Sequence, residues 1–247
     1  MAEILRVENV SRRFGGLLAL DRAAFTADEG QIVALVGPNG AGKTTLFAII
    51  TGFLQPTTGR VFYQGAEITG EPPHLLARRG IARTFQIAQP FTGLTVRENI
   101  AVGSHLSRAK RADALAAAEE VAKAVGLGPM LDMPAANLTV AGRKRLELAR
   151  ALAIEPKLLL LDEPTAGMNP QETLEFTDFV AKLRSDQGLA VLMIEHDMRV
   201  VMGISDRVTV FDYGEKIAEG TPVEIQQNER VIEAYLGSGA ATGGAAG

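Results

Sequence analysis

Gly37-Pro38-Asn39-Gly40-Ala41-Gly42-Lys43-Thr44 fits the spacing G-x-x-x-x-G-K-[ST]. Glycines at these positions let the backbone wrap closely enough for its N–H groups to face phosphate oxygens. A helix opening at the end of the loop adds partial positive charge at the same place. Lys43 would then reach the β and γ phosphates of a nucleoside triphosphate, and the Thr44 hydroxyl would ligate Mg²⁺. Thr45, next on the same turn, joins the phosphate-binding candidates. A Gly-rich turn with an incidental lysine would do none of this. What separates the two cases is context: the apolar run Ile32–Val36 precedes the loop, and helix-forming Lys43–Thr51 follows it.

A second group supplies what hydrolysis needs. Leu158-Leu159-Leu160-Leu161 reads as a buried strand that delivers Asp162 and Glu163 at its C-terminal end. Asp162 would complete a Mg²⁺ shell through water, and Glu163 is placed to polarise an attacking water. Such a pair alone would more often cap a helix or remain a solvated charge. A phosphate loop in the same chain turns the reading toward hydrolysis.

These residues need elements to hold them. Leu5 and Val7 alternate with Arg6 and Glu8, and the Gly15-Gly16 pair reads as a turn, so a β region runs to about Glu29-Gly30. Strands and helices then alternate. Ile32–Val36 is a short buried strand, and the helix Lys43–Thr51 closes at Gly52. Arg60–Tyr63 with Gln64-Gly65 forms a strand and turn, and Leu158–Leu161 and Ala190–Glu195 are two further buried strands. The helix between those last two runs from Pro170 to about Ser185, with Asn169 as its N-cap. This order implies an α/β fold with a largely parallel sheet and an N-terminal antiparallel β region. From about Val96 to Ala153 the composition shifts to Ala, Leu, Arg and Glu. Arg111–Val125 holds strong helix formers without a breaker, and Gly126, Gly128, Pro129 and Pro134 then interrupt it. That stretch, about 96–153, reads as an inserted helical subdomain.

Composition removes other classes. The chain has 247 residues, 47% hydrophobic and 22% charged, with a formal net charge of −4. This is enough for a substantial core and too apolar for intrinsic disorder. The mild acidity gives no footprint for a nucleic-acid binder. The absence of cysteine excludes a thiolate metal site and a cysteine nucleophile. No apolar run approaches the ~20 residues of a membrane span, and the start lacks a basic stretch followed by an apolar core, so a soluble, intracellular chain is expected. Residues 237–247 contain only Gly, Ala, Ser and Thr and should form a flexible tail.

Phosphate loop, inserted helices, Leu-rich strand with Asp-Glu, and a strand ending in His196 together resemble the ATPase subunit of ABC transporters. The likeness spans about residues 4–236, which would form one ATPase domain with a P-loop NTPase core. It implies ATP and Mg²⁺ as ligands. By position, Gln86 matches the family's glutamine that senses Mg²⁺ and contacts the membrane partner. His196 matches the histidine that contacts the γ-phosphate, and Phe14 the aromatic that stacks on adenine. Leu138-Thr139-Val140-Ala141-Gly142 occupies the place of the L-S-G-G-Q signature, which caps the nucleotide of the opposite subunit; Thr139, Ala141 and Gly142 are the matching contacts. Ala141 stands where a glycine is usual and Gly142 where glutamine is. A basic helix, Arg143 to Ala153, should follow. Ala166-Gly167-Met168-Asn169 ends in Asn where the family has Asp.

The stretch Pro73–Gln86 with its Arg83-Thr84-Phe85-Gln86, then Leu94-Thr95-Val96-Arg97-Glu98-Asn99, and the ending Val231–Gly237 resemble the branched-chain amino-acid uptake group, in its LivG-type form. Urea and amide importers and the lipopolysaccharide-export ATPase are similar alternatives. A soluble, non-transport ABC ATPase would carry a second nucleotide domain or a long coiled coil, for which 247 residues leave no room. The resemblance implies a second ATPase subunit, two transmembrane permease subunits, an indirect link to a substrate-binding protein, and a place on the cytoplasmic face of the inner membrane. Around Gln86–Thr95 the apolar Pro90, Phe91 and Leu94 would offer a docking surface to the permease.

Overall fold

Two runs of twelve residues open the chain as β1 (Glu3–Phe14) and β2 (Leu17–Asp28). The computed structural model describes residues 2–86 and 89–236, so the Gly/Ala-rich segment 237–247 lies outside the described residues. The chain divides into two compact units, Met1–Pro72 with Ala190–Gly247 and Pro73–Leu189.

In the first unit β1 and β2 pair antiparallel, with Phe14 opposite Leu17 across the expected Gly15-Gly16 turn. Leu5, Val7, Val10, Leu20, Ala23 and Phe25 are buried, the inward half of each alternation. The strand β3 (Ile32–Val36) is buried at every residue, and α1 (Lys43–Ile50) follows it with Leu46, Phe47 and Ile50 in the core. Next come β4 (Thr58–Tyr63), antiparallel to β1, and the short β5 (Ala66–Glu67).

The second unit starts with α2 (Pro73–Arg78) and β6 (Ile81–Arg83), then α3 (Val96–Ser104), α4 (Arg111–Ala124), α5 (Val140–Leu152), β7 (Leu158–Asp162) and α6 (Pro170–Gln187). Strands β6 and β7 run parallel, Ile81 opposite Leu158. On α4, Ala114, Ala118 and Ala122 recur at i, i+4 and are fully buried, so small side chains let the helix approach its neighbours closely. Val96, Ile100, Leu127, Leu146 and Ala149 complete that core. Thr95 caps α3 in a capping box with Glu98.

The chain then returns to the first unit through β8 (Ala190–Ile194), α7 (Met198–Ile204), β9 (Arg207–Asp212), β10 (Glu215–Gly220), α8 (Pro222–Gln226) and α9 (Glu229–Leu236). β3 lies between β8 and β9 and is parallel to both, while β10 is antiparallel to β9. Runs such as Ile32–Val36 and Ala190–Ile194 are apolar throughout because strands of this kind are covered on both faces. No helix among the described residues is long and apolar enough to cross a membrane.

Two helix ends differ from the sequence reading. The helix expected from Arg143 starts at Val140, because the Thr139 hydroxyl accepts the Gly142 N–H at 3.1 Å and caps it there. Helix α6 starts at Pro170 under an Asn169 cap as expected, but runs on to Gln187, where Gly188 caps its C-terminus.

Candidate functional site

The phosphate loop leaves β3 at Gly37 and enters α1 at Lys43. Gly37 has φ +145°, and a Cβ there would lie 2.0 Å from the Phe211 carbonyl oxygen, so no side chain fits. Gly42, the N-cap of α1, has φ +91° and no capping side chain, which leaves the first-turn N–H groups of the helix to the loop's concave side. Asn39, Gly40 and Thr44 are exposed, and Pro38, Gly42 and Thr45 are half-buried. Ala41 is buried, with its N–H donating to the Pro38 carbonyl at 3.2 Å. The buried Lys43 ammonium donates to the carbonyls of Gly37 at 2.7 Å and Pro38 at 2.8 Å, so it lies inside the loop it follows.

In the same unit β8 ends at Ile194, and Glu195 turns the chain. Its buried carboxylate accepts the N–H of His196 at 2.9 Å and of Asp197 at 3.3 Å. Asp197 then caps α7. Between these two local bonds His196 stands exposed. Phe14, at the last position of β1, is 44% exposed, with the Arg12 guanidinium 4.7 Å from its ring centre. It is not a core residue, although an aromatic in an amphipathic strand ordinarily is.

The second unit brings Asp162, Glu163 and Gln86 together. Asp162 closes β7 at 3% exposure, and its carboxylate accepts from the Arg83 guanidinium at 2.9 Å. Its own N–H donates to the Thr84 hydroxyl at 3.3 Å. Glu163 is half-buried at φ +46°, and its carboxylate accepts from the Gln86 amide at 2.7 Å. The sequence thus pointed to two residues far apart in the chain that share a hydrogen bond. Glu147 on α5 accepts the Phe85 N–H at 2.5 Å, just before Gln86; burial pushes its carboxyl up, against the opposing pull of that bond and of Lys144. Ile87 and Ala88, inside the loop expected to dock a permease, lie outside the described residues.

At the signature position Thr139 and Val140 are exposed, Val140 at 60%, whereas Ala141 and Gly142 are buried in the first turn of α5. Thr139, Val140 and Arg143 are the side chains that the helix N-terminus presents outward. The early start of α5 produces this, since it draws Ala141 and Gly142 into the helix. Sequence reasoning also missed Arg83, Lys144 and Glu147. Arg83 stood in a run read for its glutamine and its likeness to the branched-chain uptake group, and the other two were counted only as part of a basic helix.

A family profile described as ABC transporter matches residues 20–166, and one described as branched-chain amino acid ATP-binding cassette transporter matches residues 215–241. The high-affinity branched-chain amino acid transport ATP-binding protein BraF of Pseudomonas aeruginosa is 42% identical over 95% of this chain and 98% of its own. LivG of Salmonella typhimurium, of the same description, is 41% identical over the same shares. The ADP conformation of an ATP-binding cassette from an ABC transporter superposes with a TM-score of 0.87 at 32% identity, covering 96% of this chain and 100% of that one.

Proposed function

The chain belongs to the ABC transporter family and is an ATPase of that class, and from this premise we propose that it couples ATP hydrolysis to uptake of branched-chain or related amino acids through a separate permease. The observation that carries the nucleotide half is the phosphate loop, with Gly37 packed against Phe211 and an uncapped α1 N-terminus beside Lys43. The cargo is supported by the BraF and LivG relatives, which are branched-chain amino acid transport ATP-binding proteins, and by the profile at residues 215–241.

Lys43 would exchange the carbonyls of Gly37 and Pro38 for β and γ phosphate oxygens, while the N–H groups of Gly40 and of Gly42 to Thr45 would receive the rest of the phosphate charge. Phe14 offers an exposed ring to the adenine, and His196 a side chain to the γ-phosphate. Glu163 takes the proton of the attacking water, and the Gln86 amide holds its carboxylate in place. Each unit offers hard oxygens of the kind a divalent cation takes, the exposed Thr44 hydroxyl in the first, and the Asp162 carboxylate and the Gln86 amide oxygen in the second. Among the described residues no group of three or more His, Cys, Asp or Glu could form a cage. This suits Mg²⁺, which takes one or two protein oxygens with phosphates and water. When bound, Mg²⁺ neutralises charge developing on the β and γ oxygens.

Thr139, Val140 and Arg143 face outward at a helix N-terminus, which supports a second ATPase subunit whose nucleotide they would cover. With two permease subunits and a substrate-binding protein, the assembly would sit at the cytoplasmic face of the membrane. Proteoliposomes holding the chain with its permease and binding protein should take up labelled leucine only with ATP, and Glu163→Gln should stop the uptake. Uptake of urea without leucine would overturn the cargo and leave the ATPase reading standing.

A further inference from the structure

Lys144 lies in the second turn of α5 and is only 9% exposed. Its ammonium donates to the backbone carbonyl of Gln86 at 2.6 Å and approaches that of Glu163 at 3.3 Å. The side chains of those same two residues meet each other at 2.7 Å. A closed ring results: amide to carboxylate on one side, carbonyl to ammonium to carbonyl on the other. Burying an ammonium is unfavourable unless its donors find acceptors, and here the acceptors are the main chains behind the Gln86–Glu163 pair. Glu163 also holds φ +46°, a conformation its Cβ disfavours, so a donor on its carbonyl helps keep it there.

The neighbours on α5 act on the same stretch. Three residues on, Glu147 accepts the Phe85 N–H, and three further, Arg150 donates to the Gln89 carbonyl at 2.9 Å. One helix face therefore grips the backbone on either side of Gln86. We propose that Lys144 is a positioning residue for hydrolysis, fixing the main chains of Gln86 and Glu163 so that carboxylate and amide together face the water to be activated. The inference rests on Glu163 being the hydrolytic base. It also gives the helix that Thr139 caps a direct hold on that base.

The test compares the full-length wild-type chain with Lys144→Met, which keeps the stem and removes the charge, and Lys144→Arg, which keeps donors for both carbonyls. ATP turnover is followed over a concentration series, with ATP affinity by equilibrium binding and thermal melting alongside. Lys144→Met should lower kcat about 10- to 100-fold, the scale of a misplaced reacting group, with ATP affinity unchanged, and Lys144→Arg should restore most of the loss. Should Lys144→Met not fold, Lys144→Gln takes its place with the same expectation. Wild-type kcat in the Met or Gln variant overturns the proposal, and so does an equal loss in the Arg variant that follows its melting temperature. Glu163→Gln, measured in parallel, separates the two levels. If it turns ATP over normally, the assignment of the base fails; if it is inactive while Lys144→Met is not, only the positioning role fails.

Discussion

The Arg83 guanidinium lies 2.9 Å from the Asp162 carboxylate, and the two side chains are 9% and 3% exposed. The parallel pairing of β6 with β7 brings the two within reach, because Arg83 ends β6 opposite Leu160 and Asp162 ends β7 two residues on. The pair leaves one carboxylate oxygen of Asp162 for another partner while keeping the buried charge compensated.

Breaking such a pair from one side leaves an unmatched buried charge, which typically costs about 3–5 kcal/mol. Arg83→Met should lose stability on that scale in urea unfolding. Arg83→Met with Asp162→Leu should recover much of it, since an apolar pair of similar volume removes the stranded charge. A double variant no more stable than Arg83→Met would mean that the ion pair is not the source of the loss.

Glu163 and Lys43 should separate chemistry from binding. Glu163→Gln keeps a side chain that can meet Gln86 but removes the base, so ATP binding should persist while turnover falls roughly 10²–10⁴-fold. Lys43→Ala removes a charge-assisted phosphate contact of about 1.5–3 kcal/mol, so ATP affinity itself should fall roughly 10- to 100-fold. Equilibrium binding and steady-state turnover on the same preparations check both.

Glu147 predicts a dependence on pH. Burial raises its carboxyl above the ordinary value, so between the ordinary and the raised pKa the folded state binds a proton that the unfolded chain has released. The cost of ionising it is therefore full at neutral and alkaline pH. It shrinks as pH falls through the raised pKa and is gone below the ordinary carboxylate range. Glu147→Gln keeps an oxygen for the Phe85 N–H and removes that cost. Its melting temperature should exceed wild type at pH 8, and the gain should shrink as pH falls through the raised pKa and vanish below the ordinary carboxylate range. A gain independent of pH would contradict the burial argument.

Much of this was readable along the chain because the signals are local. Ile32–Val36 is apolar at every position and is β3 residue for residue, and Asn169-Pro170 opens α6 where a cap followed by proline should. The start of α5 escaped because the helix was counted from the basic residues after Gly142, whereas the Thr139 hydroxyl decided the end. Lys144 and Glu147 escaped for a deeper reason. Their partners are backbone atoms around residues 85–86, 58 residues from Lys144 in the case of Gln86, and a backbone acceptor carries no side-chain signature. Phe14 escaped its ordinary fate because it sits at the hairpin end, where β1 has run past the core it covers.

Phe91 distinguishes a docking surface from a core anchor. The ring is 45% exposed, and the Arg150 guanidinium lies 4.6 Å from its centre. The backbone around it is held separately: the fully buried Asn99 accepts the Phe91 N–H at 2.8 Å and donates to the Phe91 carbonyl at 3.1 Å. Since Asn99 anchors the loop, removal of the ring should cost little beyond one cation–π contact, about 0.5–1 kcal/mol, or a few degrees at most in melting temperature. If the ring instead serves a permease helix, Phe91→Ala should leave ATP turnover of the isolated chain unchanged while co-purification with the permease and transport are lost. Asn99→Ala makes the complementary case, lowering the melting temperature through the loop's backbone. A Phe91→Ala chain that melts many degrees early yet still co-purifies with the permease would make the ring a structural anchor and place the docking surface elsewhere.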